Sequence, residues 1–312
     1  MKPPVLKTSH LLTMADLSKD EMIALFKFSE QLKKDLKRRK SHKYLSNRSL
    51  AMIFEKSSTR TRVSFETGIY QLGGQPLFLS GSDIQIGRGE TLSDTAKVLS
   101  RYVNGIMIRT FSDEKIAELA QNSDIPVING LTDKHHPCQA LADFFTIYEI
   151  EKKFTGIKIT YIGDGNNVAN SLMLGAAILG MDISIACPAK YNPDKEITEQ
   201  AKTLAAISGS KIEITKDVDR AVAGTNYIYT DVWVSMGQEK ESVRKKKELA
   251  KYKISVGLLE KCAPSCRIMH CLPAHRGEEI DSDVMDCKNS IIFEQAENRL
   301  HIQKAVMCAL MK

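Results

Sequence analysis

Short apolar runs rich in Ile, Val, Leu and Phe alternate with helical patterns along almost the whole chain, and that alternation restricts the fold more than any other feature. In the first half the runs are "LAMIF" (50–54), "PLFLS" (76–80), "GIMIR" (105–109) and "PVIN" (126–129). In the second they are "IKITYI" (157–162), "DISIAC" (182–187), "KIEIT" (211–215), "YIYTD" (227–231), "RIMHC" (267–271) and "SIIF" (290–293). Runs this short and β-branched read as strands. Continuous apolar strands separated by helices belong to parallel sheets covered on both faces. The fold class is therefore α/β, with two domains, each a parallel sheet flanked by helices. The long helical stretch "PCQALADFFTIYEIEKKF" (137–154) joins them. It sets the domains at 1–150 and 151–294. The last helix, 295–312, carries an apolar stripe at Leu300, Val306 and Leu310 and is expected to pack back on the first domain.

Composition excludes several classes. With 312 residues, 43% hydrophobic and 26% charged, the chain has the make-up of a globular protein. A formal net charge of +6 favours anionic ligands only mildly. Much of it sits in "KKDLKRRKSHK" (33–43) and "RKKKE" (244–248), which read as solvated helix faces. No interleaved aromatics or recognition helix point to nucleic acid. The N-terminus has no apolar signal core, and the most apolar helical stretch, 171–181, is too short to span a bilayer. Seven scattered cysteines, at 138, 187, 262, 266, 271, 287 and 308, suggest reduced thiols and a cytoplasmic location.

In parallel sheets, ligands bind where strands end and helices begin. "SSTRTR" (57–62) follows the first strand and opens a helix. Free N–H groups and the helix dipole meet there. Ser58, Thr59 and Thr61 add hydroxyls, and Arg60 adds a bidentate cation, a set suited to phosphate or carboxylate. Arg62 lies two residues on, diverges from Arg60, and reads as a structural ion pair. Arg109, closing a buried strand, supplies a second charge for the same anion. "HHPCQ" (135–139) places His136 and Gln139 at a helix start, where neutral donors polarise an acyl carbonyl. "IGDGNN" (162–167) offers the amide of Asn167 but lacks the full dinucleotide fingerprint. Asp231 ends its strand, and as an anion there it suits a cationic substrate, although a helix-capping Asp fits that segment equally well. Cys262, Cys266, His270 and Cys271 match no standard metal spacing, and strand alternation is expected to separate His270 from Cys271. A phosphate cradle, carbonyl donors and an acidic amine site together fit acyl transfer from an acyl phosphate to an amine, without metal or cofactor.

"SSTRTR", "HPCQ", "DVWVSMG" and "HCLP", in this order, resemble the aspartate/ornithine carbamoyltransferase family, and "IQIGRGE" and "ENRLH" extend the resemblance over essentially the whole chain. "SMG" and "HCLP" select the ornithine branch. The resemblance implies an enzyme that binds carbamoyl phosphate at Ser58, Thr59, Arg60, Thr61, Arg109, His136, Pro137, Cys138 and Gln139. It implies Gln85 reaching a neighbouring subunit's site, hence a homotrimer, and Arg299 entering from the last helix. L-Ornithine would be held by Asn167, Asp231, Ser235 and Met236, with Cys271 and Leu272 where the two substrates meet. Arg60, Arg109, His136, Asp231 and Cys271 form the implied catalytic set, and the products are L-citrulline and phosphate. Two alternatives stand beside it. One is a carbamoyltransferase acting on putrescine or another amine. The other is a Rossmann-like dinucleotide-binding protein, against which there is no acidic residue at a strand end about 20 residues past Gly163.

Overall fold

The computed structural model describes residues 1–82, 84, 89–234 and 242–311. Gln85, Ser235 and Met236 therefore lie outside the described residues. The strands are β1 (Ser49–Phe54), β2 (Gln75–Ser80), β3 (Gly105–Arg109), β4 (Val127–Leu131), β5 (Lys158–Ile162), β6 (Asp182–Ala186), β7 (Ile212–Thr215), β8 (Tyr227–Thr230) and β9 (Arg267–His270). The helices are α1 (Lys19–Lys37), α2 (Thr59–Gln71), α3 (Leu92–Tyr102), α4 (Asp113–Gln121), α5 (Pro137–Glu151), α6 (Asn167–Leu179), α7 (Lys195–Ser208), α8 (Val218–Val222), α9 (Ser242–Leu249), α10 (Val256–Leu259), α11 (Ser282–Met285) and α12 (Ile292–Leu310). Two parallel sheets result, ordered β2-β1-β3-β4 and β7-β6-β5-β8-β9. The chain divides into two compact units, Met1–Phe145 with Glu297–Lys312, and Thr146–Ala296.

The chain uses one local device repeatedly: a strand ends, a short polar residue caps, and a helix starts. Ser58, Thr91, Ser112, Asn166 and Asp217 each accept a first-turn N–H, of α2, α3, α4, α6 and α8 respectively. Gly180 and Gly209 stop α6 and α7 in the left-handed conformation, both at φ 79. In the first unit, Ile53, Ile106, Ile108 and Val127 pack with Ile116 and Leu119 of α4. In the second, Ile162, Ile228 and Ile268 pack with Leu249, Ile280 and Val284.

One expected strand is absent. In "SIIF" only Ser290 forms a bridge, to Ile268, and α12 starts at Ile292. Ile291, Ile292 and Gln295 are buried while Phe293 and Glu294 are exposed, so helical spacing governs this segment. Asp231 and Cys271 likewise fall just past β8 and β9 instead of inside them. The basic runs are not wholly solvated either: Lys33, Asp35, His42 and Lys245 are buried. Lys245 donates to Asp164 at 2.5 Å, a buried pair in which both charges are compensated.

The C-terminal helix is less simple than its apolar stripe. Val306 is buried and Leu300 and Leu310 are half-buried, but Asn298, Arg299, His301, Gln303 and Lys304 are buried as well. Lys304 Nζ lies 2.7 Å from His42 Nε2 and donates to Gln71 at 2.9 Å. Burial lowers its pKa to about 8. Burial, followed by the charges of Lys304, Lys33, Lys37 and His42, lowers His301 to about 3.

These histidines fix a pH response. The unfolded His301 titrates near 6.5, so below that pH the unfolded chain holds a proton that the folded His301 refuses. Stability is intact above about pH 6.5 and falls on acidification, by about 1.4 kcal/mol per pH unit for this group. His301→Gln should reduce the slope of urea-unfolding free energy between about pH 6 and 5 by that amount. An unchanged slope would show that His301 takes no part.

Candidate functional site

The first unit gathers cations around an uncharged imidazole. Ser58 caps α2, accepting from Thr61 N–H at 3.2 Å and donating to Thr61 Oγ1 at 3.1 Å. Arg299, from α12, donates through NH1 to Gln139 Oε1 at 2.6 Å and through NH2 to Thr61 Oγ1 at 3.4 Å. Gln139 Nε2 in turn donates to Asp143 at 2.8 Å. With its amide turned to suit its neighbours, Gln303 accepts from Arg299 Nε and NH2 at 3.1 Å and donates to Ser64. Arg109 is buried at the end of β3. His136, also buried, has a pKa held well below the ordinary histidine value, first by desolvation and then by Arg299, Arg109 and Arg60. The imidazole is neutral at physiological pH, and three guanidiniums act on it: the electrostatics of an anion site carrying a neutral hydrogen-bonding group.

The neighbouring residues behave differently. Arg62 turns away, bonding Glu66 at 2.9 Å and stacking 3.7 Å from the Phe78 ring, as its spacing from Arg60 suggests. Cys138 Sγ donates to the Asn129 carbonyl at 3.4 Å, and burial pushes its thiol up to about 12. Its side chain is a structural thiol, and Pro137 beside it has no N–H to offer. Thr59 is exposed at the first position of α2.

In the second unit the centre is Asp231. Its Oδ2 accepts from Asn166 Nδ2 at 2.7 Å, and its Oδ1 from Val232 N–H at 2.8 Å and Cys271 Sγ at 2.9 Å. Three strand ends, those of β5, β8 and β9, thus meet at one carboxylate. Asn167 begins α6, half-buried. Leu272 adopts φ 57, a left-handed conformation costly for a branched residue, and its N–H donates to His270 Nδ1 at 2.9 Å. His270 Nε2 faces Glu279 Oε1 at 3.2 Å, both side chains fully buried. Donor-capable atoms of Asp231, His270 and Cys271 lie within 4.8 Å of one another. Strand alternation does not separate His270 from Cys271, because β9 ends at His270. The His270 Nδ1 lone pair is nonetheless engaged by Leu272.

Asn166 and Glu279 carry no functional signal in the sequence reading, and His270 enters it only within a discounted metal cluster. Asn166 was legible as the capping residue of "GDGNN"; its grip on Asp231 was not, because it spans 65 positions. The glycines of that turn also have a local reason. A Cβ on Gly165 would lie 2.4 Å from Pro193 N and 2.5 Å from the Tyr191 carbonyl, so the space a pyrophosphate-binding glycine leaves open is filled by backbone.

Two family profiles cover this chain: the carbamoyl-phosphate-binding domain of aspartate/ornithine carbamoyltransferases over residues 9–149, and their Asp/Orn-binding domain over 155–310. The chain belongs to the aspartate/ornithine carbamoyltransferase family. Among relatives, the ornithine carbamoyltransferase of Oceanobacillus iheyensis is 56% identical over 98% of this chain and 95% of that protein. That of Bacillus subtilis is 54% identical over 96% and 93%. The solved ornithine carbamoyltransferase of Pyrococcus furiosus superposes with a TM-score of 0.94 at 46% identity, covering 97% of this chain and 96% of its own. The sequence resemblance and the two-sheet α/β architecture thus agree with carbamoyltransferases along nearly their whole length.

Asn166 has two roles, and both should be measurable. Removing a cap costs about 1 kcal/mol, and leaving a buried carboxylate oxygen without its donor costs about 1–3 kcal/mol. Asn166→Ala should therefore lower urea-unfolding stability by about 2–4 kcal/mol. A loss of about 1 kcal/mol or less, the cap's share alone, would mean that the Asp231 contact contributes nothing.

Proposed function

We propose that this protein transfers the carbamoyl group of carbamoyl phosphate to the δ-amine of L-ornithine, giving L-citrulline and phosphate. The observation that carries the reading is the neutral His136 held among Arg60, Arg109 and Arg299. An acyl phosphate needs cations for its phosphate and an uncharged donor for its carbonyl, and this arrangement supplies both. The ornithine carbamoyltransferases that resemble the chain over nearly its whole length support the choice of acceptor.

The phosphate binds at the N-terminus of α2, to Ser58, Thr59, Arg60 and Thr61, with Arg109 as the second guanidinium. His136 donates to the carbamoyl oxygen, where charge develops during attack. Gln139 holds Arg299 through its Oε1, and one Nε2 hydrogen remains for the ligand. Pro137 and Cys138 contribute through the main chain at the start of α5. In the second unit, Asp231 and Cys271 orient the δ-amine and draw off its proton, with Leu272 beside them, and Asn167 holds the α-carboxylate. Ser235 and Met236, outside the described residues, complete the acceptor site. The leaving phosphate accepts a proton itself.

The enzyme is further proposed to act in the cytoplasm as a homotrimer in which Gln85 completes a neighbour's site. Two observations support this. The seven cysteines form no disulfide, and α2 and β2 leave Val63, Tyr70, Leu77 and Phe78 exposed, apolar surface that self-association would cover. No described helix is long and apolar enough to cross a membrane. Mixing an inactive Gln85 variant with an inactive Arg60 variant under subunit exchange should restore part of the activity. No recovery in verified mixed trimers would rule out shared sites.

The substrate assignment is tested by assaying ureido product with carbamoyl phosphate and a panel of ornithine, putrescine, aspartate and N-acetylornithine. Ornithine should be preferred, and equal or better use of putrescine would overturn it. Arg60→Ala should lose about 3 kcal/mol of transition-state stabilisation in kcat/KM for carbamoyl phosphate while the fold survives. Asp231→Asn should cost about 2–4 kcal/mol in kcat/KM for ornithine and leave calorimetric carbamoyl phosphate binding unchanged. The reverse pattern would exchange the two half-sites.

A further inference from the structure

The segment "HRGEE" (275–279) folds into a tight turn that neither half-site uses. Arg276 and Ile280 form a bridge, Gly277 takes φ 89, and Glu278 N–H donates to the His275 carbonyl at 2.9 Å. The turn brings His275 Nδ1 to 3.7 Å from Glu278 Oε2 and 3.9 Å from Glu279 Oε2. Glu279 is fully buried. Its Oε1 accepts from His275 N–H at 2.5 Å and faces His270 Nε2 at 3.2 Å. Its Oε2 is buried with no hydrogen-bond partner among the described residues. A buried carboxylate oxygen left in that state is expensive; it lies 3.9 Å from the imidazole nitrogen of the turn, and one ligand atom from each of His275, Glu278 and Glu279 stands within 4.8 Å of the others.

We propose that His275 Nδ1, Glu278 Oε2 and Glu279 Oε2 form a site for one first-row divalent transition-metal ion, such as zinc or cobalt. Ligands on a tetrahedral ion with bonds of about 2.0–2.2 Å stand about 3.3–3.6 Å apart. The observed 3.7 and 3.9 Å are a few tenths longer. The His275 and Glu278 side chains are 49% and 34% exposed, so small rotations close the gap. One imidazole with two carboxylates suits zinc and its neighbours better than calcium or magnesium, which prefer oxygen alone, or copper(I), which prefers sulfur. Three protein ligands leave the fourth position to water. The charge also fits: Lys246 offsets part of the negative charge by bonding Glu278 Oε1 at 2.7 Å, while Arg276 is directed to Asp286 at 2.6 and 2.7 Å. An ion here shares the Glu279 carboxylate with His270, the residue that holds Leu272 N–H. It is distinct from the Asp231, His270 and Cys271 cluster, which contains a thiol and whose imidazole is already engaged.

The test is titration of Co2+ into the full chain, followed by calorimetry and visible absorption. One equivalent should bind, with ligand-field bands but no thiolate-to-cobalt charge-transfer band, and zinc should displace it. His275→Gln and Glu278→Gln should each weaken binding by at least about tenfold. Cys271→Ser should bind as the parent does. Absence of binding, parent-like affinity in both turn variants, a thiolate band, or loss of binding in Cys271→Ser would each overturn the proposal.

Discussion

The Arg299 guanidinium ties the first unit's site together. It is buried on α12, and its bonds reach Gln139 at the start of α5 and Thr61 at the start of α2. A buried guanidinium is tolerable only when its donors are matched by acceptors. Here those acceptors belong to the two helix starts that carry the candidate cradle and the candidate carbonyl donor. The contact that satisfies Arg299 therefore also fixes where Arg60 and His136 stand. The field of Arg299 is the largest charge effect keeping His136 neutral, after burial itself.

The second unit is built around the opposite sign. Asp231 gathers Asn166, its neighbour's N–H and the Cys271 thiol, so three separate strand ends are registered on one anion. Behind Cys271, the left-handed Leu272 is held by His270, and His270 by Glu279. The left-handed conformation of Leu272 is thus supported by a buried polar pair. The contrast between a cationic first unit and an acidic second unit is the physical basis for assigning phosphate to one and amine to the other.

Much of this is legible in the sequence because its causes are local. Apolar runs of strand length, caps at strand ends and the clustering of hydroxyls with Arg60 act within a few residues, and sequence displays them directly. The divergence of Arg62 followed from helix geometry and appears as its bond to Glu66. The sequence misleads where local signals compete. Ile291 and Ile292 look like a strand, yet burial at helical spacing prevails. The basic run at 33–43 looks solvated, yet Lys33 donates to Asn298 from a buried position.

The sequence by itself determined the alternation of strand and helix, the two parallel sheets, the family, and the residue types at each strand end, because periodicity, capping and motif order are properties of neighbouring residues. Only the tertiary structure decided that Arg299 bonds Gln139 across 160 positions, that Asn166 holds Asp231, that Cys138 is a packed thiol, and that Glu279 stands between His270 and His275. The Arg299 and Asn166 contacts join residues 160 and 65 positions apart, and depend on how helices pack and strands order themselves. The Cys138 and Glu279 contacts span nine positions or fewer, but depend on how turns fold back, which no local periodicity encodes.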